Sequence, residues 1–274
     1  MVRRKTSMKL GIICPVKHLQ DFATQSDFHL ILPHLYNEFP EYKEFYRERI
    51  KQGDFVLQDN SIFEAGTSLD CHYLLEQAED LGVSEMAAPE VLGDADESKK
   101  LLVKFLDYRE TMGSKIPVFA TVQGKTFQDM LDYFFELNGI DEVSTIGIPS
   151  DTDYVSSYSY GYLSPTLKKV FNRLGLVQEI EKTRLIGNIE IKPVHLLGLG
   201  DGVELQRQKY ISWIRSCDSS TAYVHGAEGI CYGMRGLPCE KITDKLDFGS
   251  SLGRQLQFHA VHYNIQMLKQ FVKM

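Results

Sequence analysis

Ile116-Pro-Val-Phe-Ala-Thr-Val-Gln-Gly, then Thr126 to Leu137, then Glu142-Val-Ser-Thr-Ile-Gly-Ile-Pro is the stretch that decides the fold. A short apolar run ends in a polar turn, a helix-like segment follows, and a second short apolar run closes the unit. The same pattern recurs on both sides. Upstream, Leu10-Gly-Ile-Ile-Cys-Pro reads as a first strand and Asp54-Phe-Val-Leu-Gln-Asp-Asn as a second. An amphipathic stretch from Ser68 to Leu81 follows, with Leu74, Leu75 and Ala78 on one face. Glu85-Met-Ala-Ala-Pro-Glu-Val is a third strand, and Asp96 to Met112 a helix. Downstream, Ser164-Pro165 reads as an N-cap with proline at the first helical position. Pro193-Val-His-Leu-Leu-Gly-Leu-Gly is a sixth strand, Val203 to Ile214 a helix, and Ser216-Cys-Asp-Ser-Ser a seventh strand end. A last helix runs from Leu256 to Val272.

Strands alternating with helices imply a parallel sheet. Seven or eight such units in 274 residues favour a single-domain (β/α)8 barrel over a doubly wound open sheet. Neither G-x-G-x-x-G after the first strand nor a phosphate-binding G-x-x-x-x-G-K-[ST] is present, so a dinucleotide site has no support. Hydrophobic residues make up 43% and charged residues 24%, which excludes a disordered or collagen-like chain. Five scattered cysteines (Cys14, Cys71, Cys217, Cys231 and Cys239) suit free thiols in a reducing cytoplasm. No apolar run approaches the roughly 18 residues of a membrane span, and the basic N-terminus lacks the apolar region of a secretion signal.

The net charge of −7 argues against a protein that coats nucleic acid. It is unevenly spread, however: from Gly200 onward nine Lys/Arg outnumber seven Asp/Glu. A basic rim for phosphates is therefore compatible with an acidic whole. Lys168, Lys169, Arg173, Arg207, Lys209, Arg215 and Arg235 are its candidates, each weighed against an ordinary solvated charge.

The polar residues gather at the expected strand ends. These are Asp59-Asn60-Ser61, Glu90 with Asp94 after it, Gln123-Gly124, Gly147-Ile148, Gly198-Leu199-Gly200 and Asp218-Ser219-Ser220. A barrel places all its C-terminal strand ends on one face, where such enzymes keep their chemistry. Carboxylates there supply nucleophile or acid/base function, and glycines admit a ligand to backbone N–H groups. Asp94 and Asp201 have a competing explanation as helix N-caps. Asp59 lies too far before the helix near Ser68 to cap it.

Taken in order, Asp59-Asn-Ser-Ile-Phe-Glu, Phe119-Ala-Thr-Val-Gln-Gly, Val194-His-Leu-Leu-Gly-Leu-Gly and Ser216-Cys-Asp-Ser-Ser resemble the tRNA-guanine transglycosylase superfamily. Phe28-His-Leu-Ile-Leu-Pro-His-Leu and the Asp-Asn-x-x-x-Glu signature are most similar to its phage-encoded branch, which inserts 7-deazaguanine derivatives into DNA. The resemblance spans residues 8 to 270 and implies a (β/α)8 barrel that exchanges guanine in DNA for a free 7-deazaguanine base. It implies Asp218 as nucleophile and Asp59 as general acid/base. It also implies Gln123, with Gly124, and the backbone near Gly147 at the purine O6, and Leu197 and Gly198 beside the 7-substituent. Glu90 or Asp94 matches the base-reading acid. Tyr154, Tyr158, Tyr160 and Tyr162 are candidates for stacking on exposed bases.

The chain departs from the family at zinc, because the tight C-x-C-x2-C cluster of the tRNA enzymes is missing. Cys231, Cys239, His259 and His262 could form a relaxed structural zinc site, or belong to an amphipathic helix and two unrelated thiols. The chemistry itself needs no cofactor. The alternatives are the same exchange on tRNA and an accessory barrel without activity; a barrel glycoside hydrolase would also use paired carboxylates, but the Gln123-Gly124 and Leu197-Gly198 motifs give no reason to prefer it. An assembly of identical subunits is compatible with all of them.

Overall fold

The computed structural model describes residues 8–150, 165–199, 202–233 and 246–273. Its strands are β1 (Lys9–Ile12), β2 (Phe28–Ile31), β3 (Phe55–Gln58), β4 (Glu85–Ala87), β5 (Val118–Thr121), β6 (Val143–Ile148), β7 (Val194–Leu196) and β8 (Ile214–Ser219). Between them run α1 (Leu19–Phe22), α2 (Leu35–Glu38), α3 (Pro40–Lys51), α4 (Ile62–Ala65), α5 (Cys71–Leu81) and α6 (Ala95–Thr111). The later helices are α7 (Phe127–Gly139), α8 (Pro165–Gly187), α9 (Gly202–Gln208), α10 (Thr221–Ala227) and α11 (Gln255–Lys273). The eight strands form one parallel sheet in the order β1-β8-β7-β6-β5-β4-β3-β2, nearly closed, which is a (β/α)8 barrel.

Three sequence expectations are corrected. The run Phe28–Ile31 is a strand in its own right, so the strand ending at Asp59 is β3, and helix α3 precedes it. The helix expected to reach Ile214 stops at Gln208, because Ile214 already pairs with Val194 in the sheet. Thr221–Ala227 adds a helix after β8.

The chain divides into two compact units, residues 27–148 and residues 1–26 with 149–274. In the first, the core includes Phe28, Ile31, Leu57, Met86 and Phe119 of the strands and Leu74, Phe105 and Phe134 of the helices. Each such side chain contributes roughly 1.5–3 kcal/mol by leaving water. Phe28 and Phe55, opposite each other in register, stack at 5.5 Å. Helix starts are marked by side chains that accept otherwise orphaned N–H groups. Asp70 caps α5, Asp94 caps α6, and Thr126 with Asp129 forms a reciprocal capping box at α7. Gly124 lets the β5–α7 turn close, since a Cβ there would lie 2.9 Å from the Met130 backbone nitrogen.

In the second unit, β1, β7 and β8 are covered by α8 to α11, with Phe22, Leu196, Cys217, Val261 and Phe271 in the core. Helices α10 and α11 meet at Gly226, where a Cβ would fall 2.4 Å from the Val261 backbone nitrogen. Gly226→Ala must push backbone apart rather than turn a side chain. It is expected to cost about 3 kcal/mol, the upper range of overpacking, read as a lowered thermal midpoint. An unchanged midpoint refutes this close contact.

Candidate functional site

Within residues 27–148, a buried polar cluster follows β3. Asp59 accepts the Ser61 N–H on Oδ2 at 3.0 Å, and Asn60 Oδ1 accepts the Ile62 N–H at 3.0 Å. These two bonds tie the strand end to the short helix α4. Ser61 sits between them at φ 60°, the left-handed region, at a cost of order 1 kcal/mol for a residue with a Cβ. Its hydroxyl is 2.9 Å from His34 Nδ1. Asp59 therefore shapes the turn after β3, while α5 takes its cap from Asp70.

Glu90, after β4, is 6% exposed. Asn60 Nδ2 donates to its Oε1 at 3.0 Å and Gln123 Nε2 to its Oε2 at 2.8 Å. Asn60 also donates to the Ala88 carbonyl, and the Ser68 hydroxyl meets both backbone polar groups of Glu90. Burial raises the Glu90 pKa, and the amide donors partly offset that rise. Burial is also the main cause holding the Asp59 carboxyl well above the usual carboxylate range, reinforced by the negative charges of Glu64 and Glu90. Asp59 thus keeps its proton at a pH where an ordinary aspartate has lost it.

Gln123 and Asp94 take different positions from each other. The Gln123 amide is engaged on both sides, by Glu90 and by the Gly93 N–H at 2.8 Å. Asp94 accepts the Glu97 N–H as the cap of α6, a bond that lowers its pKa, and stands 3.6 Å from Lys125. Of the two candidates for a base-reading acid, Glu90 is the one in the buried cluster. Gly147 lies in β6 opposite Thr121, and its carbonyl accepts the Val122 N–H.

In the other unit, the end of β8 carries Asp218. Period-two alternation puts Ser216 and Asp218 on the same face of the strand and Cys217 on the other. His195 of β7 is in register with Ser216. Its Nδ1 is 2.8 Å from Ser216 Oγ and its Nε2 is 3.0 Å from Asp218 Oδ1. The Gly198 N–H donates to the same Oδ1 at 3.0 Å. Gly198 adopts φ +62°, and a Cβ there would also crowd Ser150 Oγ at 2.9 Å. No described residue donates to Asp218 Oδ2. Among the described residues, the carboxylate is therefore gripped at one oxygen only.

The turn that supplies this N–H is itself anchored. Arg173 of α8 and Glu204 of α9 are fully buried and paired through two hydrogen bonds, and a third Arg173 nitrogen donates to the Leu197 carbonyl. Gln208, one turn along α9, adds a bond to Glu204 at 2.7 Å. Arg173 is therefore no phosphate contact, because its charge is spent inside the protein. Leu197 contributes its backbone to this anchor, and Gly198 contributes its N–H to Asp218. Sequence reasoning missed His195; its one signal was a polar residue inside an otherwise apolar strand.

Among the zinc candidates, Cys231, His259 and His262 are exposed, and His262 Nδ1 meets Gln25 Nε2 at 3.3 Å. Among the described residues no three or more His, Cys, Asp or Glu side chains are grouped to hold a metal. Cys239 lies outside the described residues, as do Tyr154, Tyr158, Tyr160, Tyr162, Ser164, Gly200, Asp201 and Arg235. Among the described residues no helix is long and apolar enough to cross a membrane. No protein-family model matches the chain, and no curated protein sequence matches it.

Proposed function

We propose that this protein replaces guanine in DNA with a free 7-deazaguanine derivative, such as 7-cyano-7-deazaguanine, through a covalent aspartyl-sugar intermediate. The observation that carries the reading is the Asp218 carboxylate, held by two N–H donors at Oδ1 and, among the described residues, given no donor at Oδ2. The raised pKa of Asp59 and the ordered motifs support it further.

Exchange at C1′ of a nucleotide breaks one glycosidic bond and makes another at the same carbon. Two carboxyl groups do this with retention, one as nucleophile and one as acid/base. Asp218 Oδ2 attacks C1′, and the C1′–N9 electron pair leaves with guanine. Asp59 gives that base its proton and becomes a carboxylate. The incoming 7-deazaguanine returns a proton from N9 to Asp59, attacks C1′, and the oxygen–C1′ pair goes back to Asp218. The reaction conserves one glycosidic bond throughout and needs no energy source. Glu90, fixed by Asn60 and Gln123, is the acceptor for the donor edge of the base. The target nucleotide must leave the base stack, at a few kcal/mol in a duplex.

The test supplies labelled guanine or 7-cyano-7-deazaguanine with DNA and, in parallel, with tRNA. Label entering DNA alone supports the reading, label entering tRNA alone moves the same chemistry to the other polymer, and label entering neither defeats it. Lys168 and Arg207 are exposed and remain candidates for phosphate contact. Replacing either by alanine should lower the slope of log affinity against log salt by about one. An unchanged slope takes that residue out of the DNA footprint.

A further inference from the structure

We infer that His195 is a positioning residue that makes Asp218 an effective leaving group as well as a nucleophile, with Ser216 selecting the imidazole tautomer for that role. The inference rests on the reading of Asp218 as the nucleophile. A fully buried imidazole between a hydroxyl and a carboxylate has one neutral arrangement that satisfies both contacts. The Ser216 hydroxyl donates to Nδ1, and the Nε2 proton is donated to Asp218 Oδ1. Ser216 is itself fully buried and its oxygen accepts from Arg215 Nε at 3.4 Å, which leaves the hydroxyl proton for His195 Nδ1.

The arrangement has a direct chemical consequence. With Oδ1 occupied by His195 and the Gly198 N–H, the bond to C1′ forms through Oδ2. In the ester so formed, Oδ1 is the carbonyl oxygen and still accepts both donors. When the second base attacks, the O–C1′ pair returns to the carboxyl group and negative charge spreads again onto Oδ1. Donors already placed there stabilise that charge with no reorganisation, as an oxyanion hole does. An enzyme that swaps one base for another must release its sugar as readily as it takes it. A carboxylate without these donors attacks but releases slowly.

Three variants test this by exchange kinetics and by the covalent adduct seen on a denaturing gel. His195→Met removes the donor at similar length. It should lower kcat about 10- to 100-fold, the value of one hydrogen bond to a charged group, leave KM for the free base within about twofold, and increase the trapped adduct. His195→Gln, whose amide can reach Oδ1, should recover most of the rate. Ser216→Ala should give a smaller loss of the same type, and it carries the test if His195→Met does not fold. Wild-type rate in Ser216→Ala and His195→Met, or a fall in kcat without adduct accumulation, overturns the inference. Absence of exchange and adduct in the unmodified protein is a different result, and it overturns the transglycosylase reading instead.

Discussion

Asp218→Asn is expected to abolish base exchange, with a loss of about 10⁵-fold or more, the order seen when a covalent nucleophile is removed. The amide oxygen of asparagine can still accept from His195 Nε2 and from the Gly198 N–H, so both bonds that hold the side chain survive. What disappears is the anionic oxygen at Oδ2, and with it the covalent adduct. Folding should be unaffected, as read from the thermal midpoint. Near-normal exchange by this variant, or an adduct still formed, removes Asp218 from the nucleophile's role.

Asp59→Asn is expected to reduce exchange by about 10²- to 10⁴-fold, the usual share of general acid–base catalysis. Its effect on stability has the opposite sign. Burial raises the folded-state pKa of Asp59 far above its ordinary 3.8. A group raised in this way stabilises the fold fully below pH 3.8, and that contribution is lost as pH rises through the folded value. Asparagine stays neutral and avoids the loss, so the variant should be more stable than the parent at neutral and alkaline pH while being nearly inactive. Denaturant midpoints measured across pH check this. A variant destabilised at every pH shows that Asp59 serves only the Ser61 turn.

The alternating pattern around β5, α7 and β6 was legible because glycine and capping residues mark each boundary there. Helix α3, which went unread, and the end of α9 lie where such marks fail. Helix α3 is mostly charged, and its buried stripe is the aromatic set Tyr42, Phe45 and Tyr46 rather than a row of aliphatic residues. The end of α9 carries no mark in the sequence, because no glycine or proline separates Gln208 from Trp213, although the backbone turns there. Asp59 and Asp218 stood out as carboxylates at strand ends. Their partners did not. His195 meets Ser216 only through the β7–β8 register, and Arg173 meets Glu204 only once α8 and α9 are packed. An arginine on a helix reads as surface until its partner is known.

The register of β1 with β8 bears on how the chain is made. Lys9 pairs with Ser216 and Gly11 with Asp218, so the strand synthesised first waits for the strand synthesised last. A ribosome adds roughly 5–20 residues each second, which leaves β1 without that neighbour for about 10–40 s. Residues 27–148 are continuous and emerge whole during that interval. Leu10 and Ile12, both buried once paired, are meanwhile apolar side chains on an open strand edge. That edge of β1 is therefore covered only after the segment bearing Asp218 has left the exit tunnel.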